Sequence, residues 1–346
     1  MKLYAGLIGP VAEHLDGLDR LQIDVSGSLA SAPFAALVQE APSGDAATKI
    51  TQDQDYTGVK WFARRFAIAN SLGPASFIRV RKTVATALPS RRRLAAFGDF
   101  RPDPAAAASR IVHDHGLTAG CEHEIAGALT RLTSLPDTAK EVSGVADVFG
   151  ANASVHLGDG FTDASFLDSP DVADADVILL ATHGVLGLSS CFGEPALLTS
   201  LGSSGDGLLE ASKVLDRTLK ARLVILSACD TAGGGQSDMG DSGLSEGGEA
   251  LSGLARSFLY AGASGVLATE WKVDSTSAAS EVQDFLRKAT ANGDPLSLSL
   301  GAAQRDLYSQ PETGHPFYWA AFILVGDGSV AISTPSNVLK AAQLTP

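Results

Sequence analysis

His183 and Cys229 are the residues whose types and surroundings could do chemistry. Each sits just past a short apolar run, in Val177-Ile-Leu-Leu-Ala-Thr-His183-Gly184 and in Leu223-Val-Ile-Leu-Ser-Ala-Cys229-Asp230-Thr231. Uncharged runs of this length read as buried parallel strands. In an open α/β sheet the residues just beyond the carboxyl ends of the strands line the functional crevice. Two reactive side chains are therefore expected at one edge. An imidazole beside a thiol raises the thiolate fraction, and the thiolate is the nucleophile. The pair has the chemistry of a cysteine protease dyad, and its separation of 46 residues is close to the offset of about 50 between histidine and cysteine in caspases.

The elements that must position the pair follow from the rest of the pattern. Strands are expected over Arg20–Val25, Leu94–Gly98, Ala153–Leu157, Gly265–Glu270 and Phe317–Val325. Helices are expected over Thr138–Phe149, Phe161–Leu167, Leu209–Leu215, Ala250–Tyr260 and Leu296–Leu307, with Gly262 closing the fourth. Such alternation implies an α/β fold built on a mostly parallel sheet. Pro102–Cys121, Ala-rich and broken by prolines, reads as an inserted loop. Ala232–Gly248, glycine-rich and without apolar periodicity, reads as a mobile and regulatory loop after the nucleophile.

Composition narrows the function classes. A net charge of −13 at pH 7 argues against a nucleic-acid or anionic-membrane surface, since phosphate binding relies on clustered cations. The basic run Arg91-Arg92-Arg93 reads as a solvated turn. No apolar stretch is long enough to cross a bilayer. The segment Leu3–Ala12 lacks the flanks of a secretory signal and reads as part of the fold. Three cysteines, at 121, 191 and 229, form no disulfide framework and suit a reducing cytoplasm. Cys121 and Cys191 read as structural. His113, His115, Cys121 and His123 offer ligand chemistry for zinc but lack the usual cysteine spacing, so the cluster reads as solvated and no metal or cofactor is expected. Gly233-Gly-Gly235 lacks the ending of a phosphate loop.

Ala181-Thr-His183-Gly184 and Ser227-Ala-Cys229-Asp230-Thr231 are similar to the two signature motifs of the CHAT family, caspase-like proteases related to separase and often fused to tetratricopeptide repeats. Further matching stretches run from Gly253 to Ala263, from Leu267 to Asp274 and from His315 to Asp327. The likeness extends back through Pro33-Phe34, Leu94–Asp99 and the helix containing Glu141, and so covers nearly the whole chain.

The resemblance implies a caspase-like α/β fold, a mostly parallel central sheet with helices on both faces. It implies one domain over residues 1–346, in which 1–150 resembles a pseudo-caspase part and 151–335 a catalytic half. It also implies a cysteine endopeptidase acting on a protein substrate, under control of a tetratricopeptide-repeat or other sensor partner. The backbone N–H groups of Gly184 and Cys229 would form the oxyanion hole, and His183 would carry the proton to the leaving amine. Gly184 also reads as a simple turn glycine. Ser227, two residues before the nucleophile, would face the specificity pocket, with Asp230, Glu270, Trp271 and Asp274 as further walls. Asp274-Ser275 departs from the paired acids common in the family. Tyr318, Trp319 and Phe322 carry a family signature and read as packing. The rival readings are a catalytically silent interaction module and a hydrolase of small thioesters.

Overall fold

Four five-residue runs, Leu94–Gly98, Val177–Ala181, Leu223–Ser227 and Gly265–Thr269, are buried at every position. Strands covered on both faces have no reason to alternate polar with apolar, which is why these read as unbroken apolar segments. A computed structural model of the chain describes residues 2–24, 29, 32–86, 91–185, 187–227, 246–271 and 275–333. Cys229, Asp230, Asp274, the glycine triplet 233–235 and most of the expected loop 232–248 lie outside the described residues.

In chain order the strands are β1 (Arg20–Asp24), β2 (Ala67–Ser71), β3 (Leu94–Gly98), β4 (Ala153–Leu157), β5 (Val177–Ala181), β6 (Gly184–Val185), β7 (Ala196–Leu198), β8 (Leu208–Glu210), β9 (Leu223–Ser227), β10 (Gly265–Thr269) and β11 (Phe322–Gly326). The helices are α1 (Lys2–Leu7), α2 (Asp45–Asp53), α3 (Pro74–Thr86), α4 (Pro104–Asp114), α5 (Ala119–Thr130), α6 (Asp137–Phe149), α7 (Asp163–Leu167), α8 (Pro170–Ala173), α9 (Ala211–Leu215), α10 (Glu246–Ala261), α11 (Ser275–Asn292), α12 (Leu296–Tyr308) and α13 (Pro316–Trp319). The fold is α/β with mostly parallel strands.

The chain divides into two compact units, Met1–Lys82 with Val273–Pro346, and Thr83–Lys272. The first therefore takes residues from both of the expected halves. In it, β2 pairs in parallel with β1 and with β11. Tyr4, Leu7 and Leu15 from the amino-terminal segment pack on Phe34, Phe62 and Phe66, so Leu3–Ala12 is indeed part of the fold. Trp319 is fully buried, stacks edge-on against Tyr308 and Trp61, and donates its indole N–H to Gly314. It is packing, as its aromatic surroundings indicate.

In the second unit the parallel order is β10-β9-β5-β3-β4, and β6, β7 and β8 form an antiparallel ribbon. Helix α6 packs on β3, β4 and β5. Gly98 makes this close approach possible, since a Cβ there would lie 2.8 Å from Val142 Cγ2. Gly262 ends α10 at φ +121°, with Leu219 O only 2.3 Å from where a Cβ would sit, a position only glycine fills without strain.

Several expectations are corrected. Pro102–Cys121 is not a loop: it holds α4 and the start of α5. Asp103 caps α4 by accepting from Ala106 N, and Pro104 stands in the first turn, where a missing N–H costs nothing. Leu209–Leu215 is divided between β8 and α9, and Phe317–Val325 between α13 and β11. The second break follows from His315, whose ring accepts from Phe317 N, and from Pro316 behind it. Cys121 and Cys191 are joined in a disulfide across 70 residues, their Cα atoms 5.9 Å apart, against the expectation of unpaired thiols. A disulfide removes the cysteine argument for a reducing compartment. No helix among the described residues is long and apolar enough to cross a membrane.

Candidate functional site

Strands β5 and β9 are parallel neighbours whose last matched pair is Ala181 and Ser227. His183 and Cys229 each follow two residues later in sequence. Thr182 N donates across the strand ends to Ser227 O at 3.3 Å. Both strands thus end at one level, at the carboxyl edge of the sheet.

His183 is 4% exposed and held from several sides. Its Nε2 lies 2.7 Å from Thr133 O. A carbonyl can only accept, so Nε2 carries the hydrogen and in the neutral ring the lone pair falls on Nδ1. The Phe100 ring stands edge-on to the imidazole, with centroids 5.5 Å apart. Asp99, at φ 54°, makes the turn that brings Phe100 there, and its N–H donates to Thr138 Oγ1 of α6. The backbone on either side is pinned to β7: Leu198 N donates to His183 O at 2.9 Å, and Thr182 Oγ1 donates to Leu198 O at 2.7 Å. A small recess lined by Phe100, Asp103, Leu129, Leu132, Leu198 and Thr199 adjoins this cradle.

Gly184 opens β6 opposite Leu197. It is therefore a strand residue, not the turn glycine of the simpler reading. Ser227 is buried, 3% exposed, and its hydroxyl donates to the Glu141 carboxyl. It is enclosed at the carboxyl end of β9, beside Glu141 of α6. Glu141 is itself 6% exposed with one oxygen lacking a hydrogen-bond partner. Burial pushes its carboxyl up from 4.5 to about 7, opposed by the Ser227 hydrogen bond.

Glu270 follows β10 directly, on the strand paired with β9. Burial pushes it up to about 7, and its Oε2 is enclosed without a hydrogen-bond partner. Trp271, next to it, is half-buried. Of the histidine and cysteine set read as solvated, Cys121 is in the disulfide and His115 turns to Asp206 and Glu210.

Sequence reasoning missed Thr133, because a backbone carbonyl has no side-chain signature. It also missed Phe100, and it noted the helix of Glu141 without its contact to Ser227.

Comparison with known proteins places these elements in context. Tetratricopeptide repeat protein 28 of Mus musculus is 34% identical over 135 residues, 39% of this chain and 5% of that protein. The Homo sapiens protein of the same name is 33% identical over 135 residues, again 39% and 5%. The chain spans about a twentieth of the length of these relatives. Among solved structures, gingipain R, an Arg-specific cysteine proteinase, is 12% identical with a TM-score of 0.47, over 94% of this chain and 68% of that one. The Saccharomyces cerevisiae separase–securin complex gives 12% and 0.42, over 75% and 14%. Likenesses this distant carry no argument about chemistry. The model of the CHAT domain matches residues 1–327, across both units, and the chain belongs to the CHAT family.

Proposed function

We propose that the chain is a caspase-like cysteine endopeptidase in which His183 and Cys229 form the dyad. The observation that supports this most is the Nε2–Thr133 O hydrogen bond of 2.7 Å, at the end of a strand that runs beside the one leading to Cys229. It leaves the lone pair on Nδ1, which acts as the base. Nδ1 takes the thiol proton of Cys229, and the thiolate adds to the scissile carbonyl. The N–H groups of Gly184 and Cys229 receive the oxyanion. The imidazolium then returns its proton to the leaving amine as the C–N bond breaks, leaving a thioester. Water, deprotonated by the same nitrogen, hydrolyses it and regenerates the thiol.

Burial raises the Glu270 carboxyl to about 7, which makes it a weak source of negative charge for a basic residue before the cut. A protein partner, such as a tetratricopeptide-repeat module, controls access, in keeping with the names of the relatives. The test is a peptide library with every residue varied before the cut, incubated with the protein and with Cys229→Ala. Discrete cleavage lost in the variant supports the reading. No cleavage by the wild type with or without a repeat-containing partner, or identical cleavage by the variant, overturns it.

A further inference from the structure

The densest group of titratable side chains away from the His183 edge lies where α4 meets β8 and α9. His115, which closes α4, has its Nε2 3.0 Å from Glu210 Oε1 and 3.2 Å from Asp206 Oδ2. Both acids are enclosed, with side chains 3% and 1% exposed, while the imidazole is 28% exposed. On the far side the Lys213 ammonium lies 2.8 Å from Asp206 Oδ1, 3.3 Å from Glu210 Oε1 and 3.6 Å from Asp163 Oδ2. Arg110, on the same helix as His113, spends its Nη1 on the carbonyls of Gly202 and Gly205.

Three carboxyl groups share a nearly closed space with one ammonium and the His115 imidazole. Buried carboxylates are normally paired or hold a metal. Asp163 is 2% exposed, its carboxyl lies against Gly205 in the turn leading to Asp206, and its Oδ1 has no hydrogen-bond partner. The donor set of one imidazole and two carboxylates is the kind that takes zinc with three protein ligands and a water. Ligands that share a tetrahedral zinc at about 2.0 Å stand roughly 3.3 Å apart, close to the two nitrogen–oxygen separations found. The three ligand atoms all lie within 4.8 Å of one another. Calcium and magnesium want more oxygens than this corner offers beside a lysine.

We propose that His115 Nε2, Asp206 and Glu210 bind one zinc ion, with the fourth position open to solvent on the side of His115 and Lys213 kept as the counter-charge towards Asp163. Binding replaces the hydrogen on Nε2, which moves to Nδ1. The bound ion ties the end of α4 to β8. Because β8 pairs with β7, and Leu198 of β7 holds the His183 carbonyl, zinc braces the ribbon on which His183 rests.

The test uses the full chain carrying Cys229→Ala, so that the dyad cannot take up metal, stripped with a chelator and titrated with zinc chloride by calorimetry. One equivalent binding at about 1 µM or tighter is expected, with a rise in melting temperature. His115→Ala should weaken binding by at least about tenfold and abolish the rise, while His113→Ala leaves both unchanged. His115 is partly exposed, so His115→Ala should fold, and the metal-free melting curve checks that it does. Cobalt in place of zinc should give a tetrahedral spectrum without thiolate charge transfer. No saturable uptake, uptake indifferent to His115→Ala, or a thiolate band would each overturn the proposal.

Discussion

The two units each present the carboxyl ends of parallel strands, and they end differently. In the first, β11 closes at Gly326 and passes to Asp327, whose side chain is 1% exposed and paired with Arg81. Its Oδ1 accepts from both the N–H and the hydroxyl of Ser329. In the second, β5 passes to a histidine whose hydrogen is fixed on one nitrogen by a carbonyl. Each unit also buries a glutamate: Glu281 beside Gln304, and Glu141 beside Ser227 at the strand end that precedes Cys229. Strand polarity and burial are shared, so neither can be what makes a site. What distinguishes the second edge is a group able to take and return a proton, held in one tautomer.

The largest effect should come from removing that group. His183→Ala and Cys229→Ala are each expected to lower kcat/KM by a factor of about 10³ or more, and the double variant should lose little further, since the residues act as one unit. Additive losses would show that they act separately. Arg81→Ala, the matching change in the first unit, should leave kcat/KM within about twofold while lowering stability by about 1–3 kcal/mol, because it strands a buried carboxylate whose partner was half exposed. A loss of turnover there would break the contrast between the edges.

Next come the two buried glutamates. Both are neutral in the fold over a range where the unfolded chain has lost the proton, since burial raises Glu141 to about 7 and Glu281 well above 4.5. Their contribution to stability is complete below pH 4.5 and is lost as pH rises, through about pH 7 for Glu141 and well above pH 4.5 for Glu281. The slope is at most about 1.4 kcal/mol per pH unit for each group. Urea midpoints between pH 4.5 and 9 should fall less steeply in Glu281→Gln and in Glu141→Gln than in the wild type. Unchanged slopes would mean that neither carboxyl is held neutral. Glu141→Gln should in addition change the pH profile of kcat/KM, through Ser227, whereas Glu281→Gln should not.

The smallest effect sharpens the geometry. Thr182→Val removes the hydrogen bond to Leu198 O, at a cost of about 1–2 kcal/mol, and should slow cleavage severalfold by loosening the backbone beside His183. A stability loss with full activity would show that the histidine is held without it.

Much of this architecture was legible in the sequence, for physical reasons. Strands buried on both faces advertise themselves as apolar runs, so β3, β5, β9 and β10 and the level of His183 followed directly. The end of α10 at Gly262 was equally plain. The Ala-rich stretch failed because an alanine run has strong helix propensity but no polar–apolar contrast, although Asp103-Pro104 signalled the start of α4. Helix α11 was missed, and β7 and β8 are too short to show a period. The Cys121–Cys191 bond, the Glu141–Ser227 contact and the Thr133 carbonyl are all long-range, and no local pattern encodes them.

The central claim is that His183 activates Cys229, and the rate of covalent labelling at that thiol tests it most directly. A peptide-based electrophile is added to the wild type and to His183→Ala, and the modified cysteine is identified by mass spectrometry over time. Expected is a single adduct on Cys229, formed at least about a hundredfold faster in the wild type, with Cys121 and Cys191 silent in their disulfide. Equal rates in the two proteins, or a Cys229 no more reactive than an ordinary exposed thiol, would contradict it.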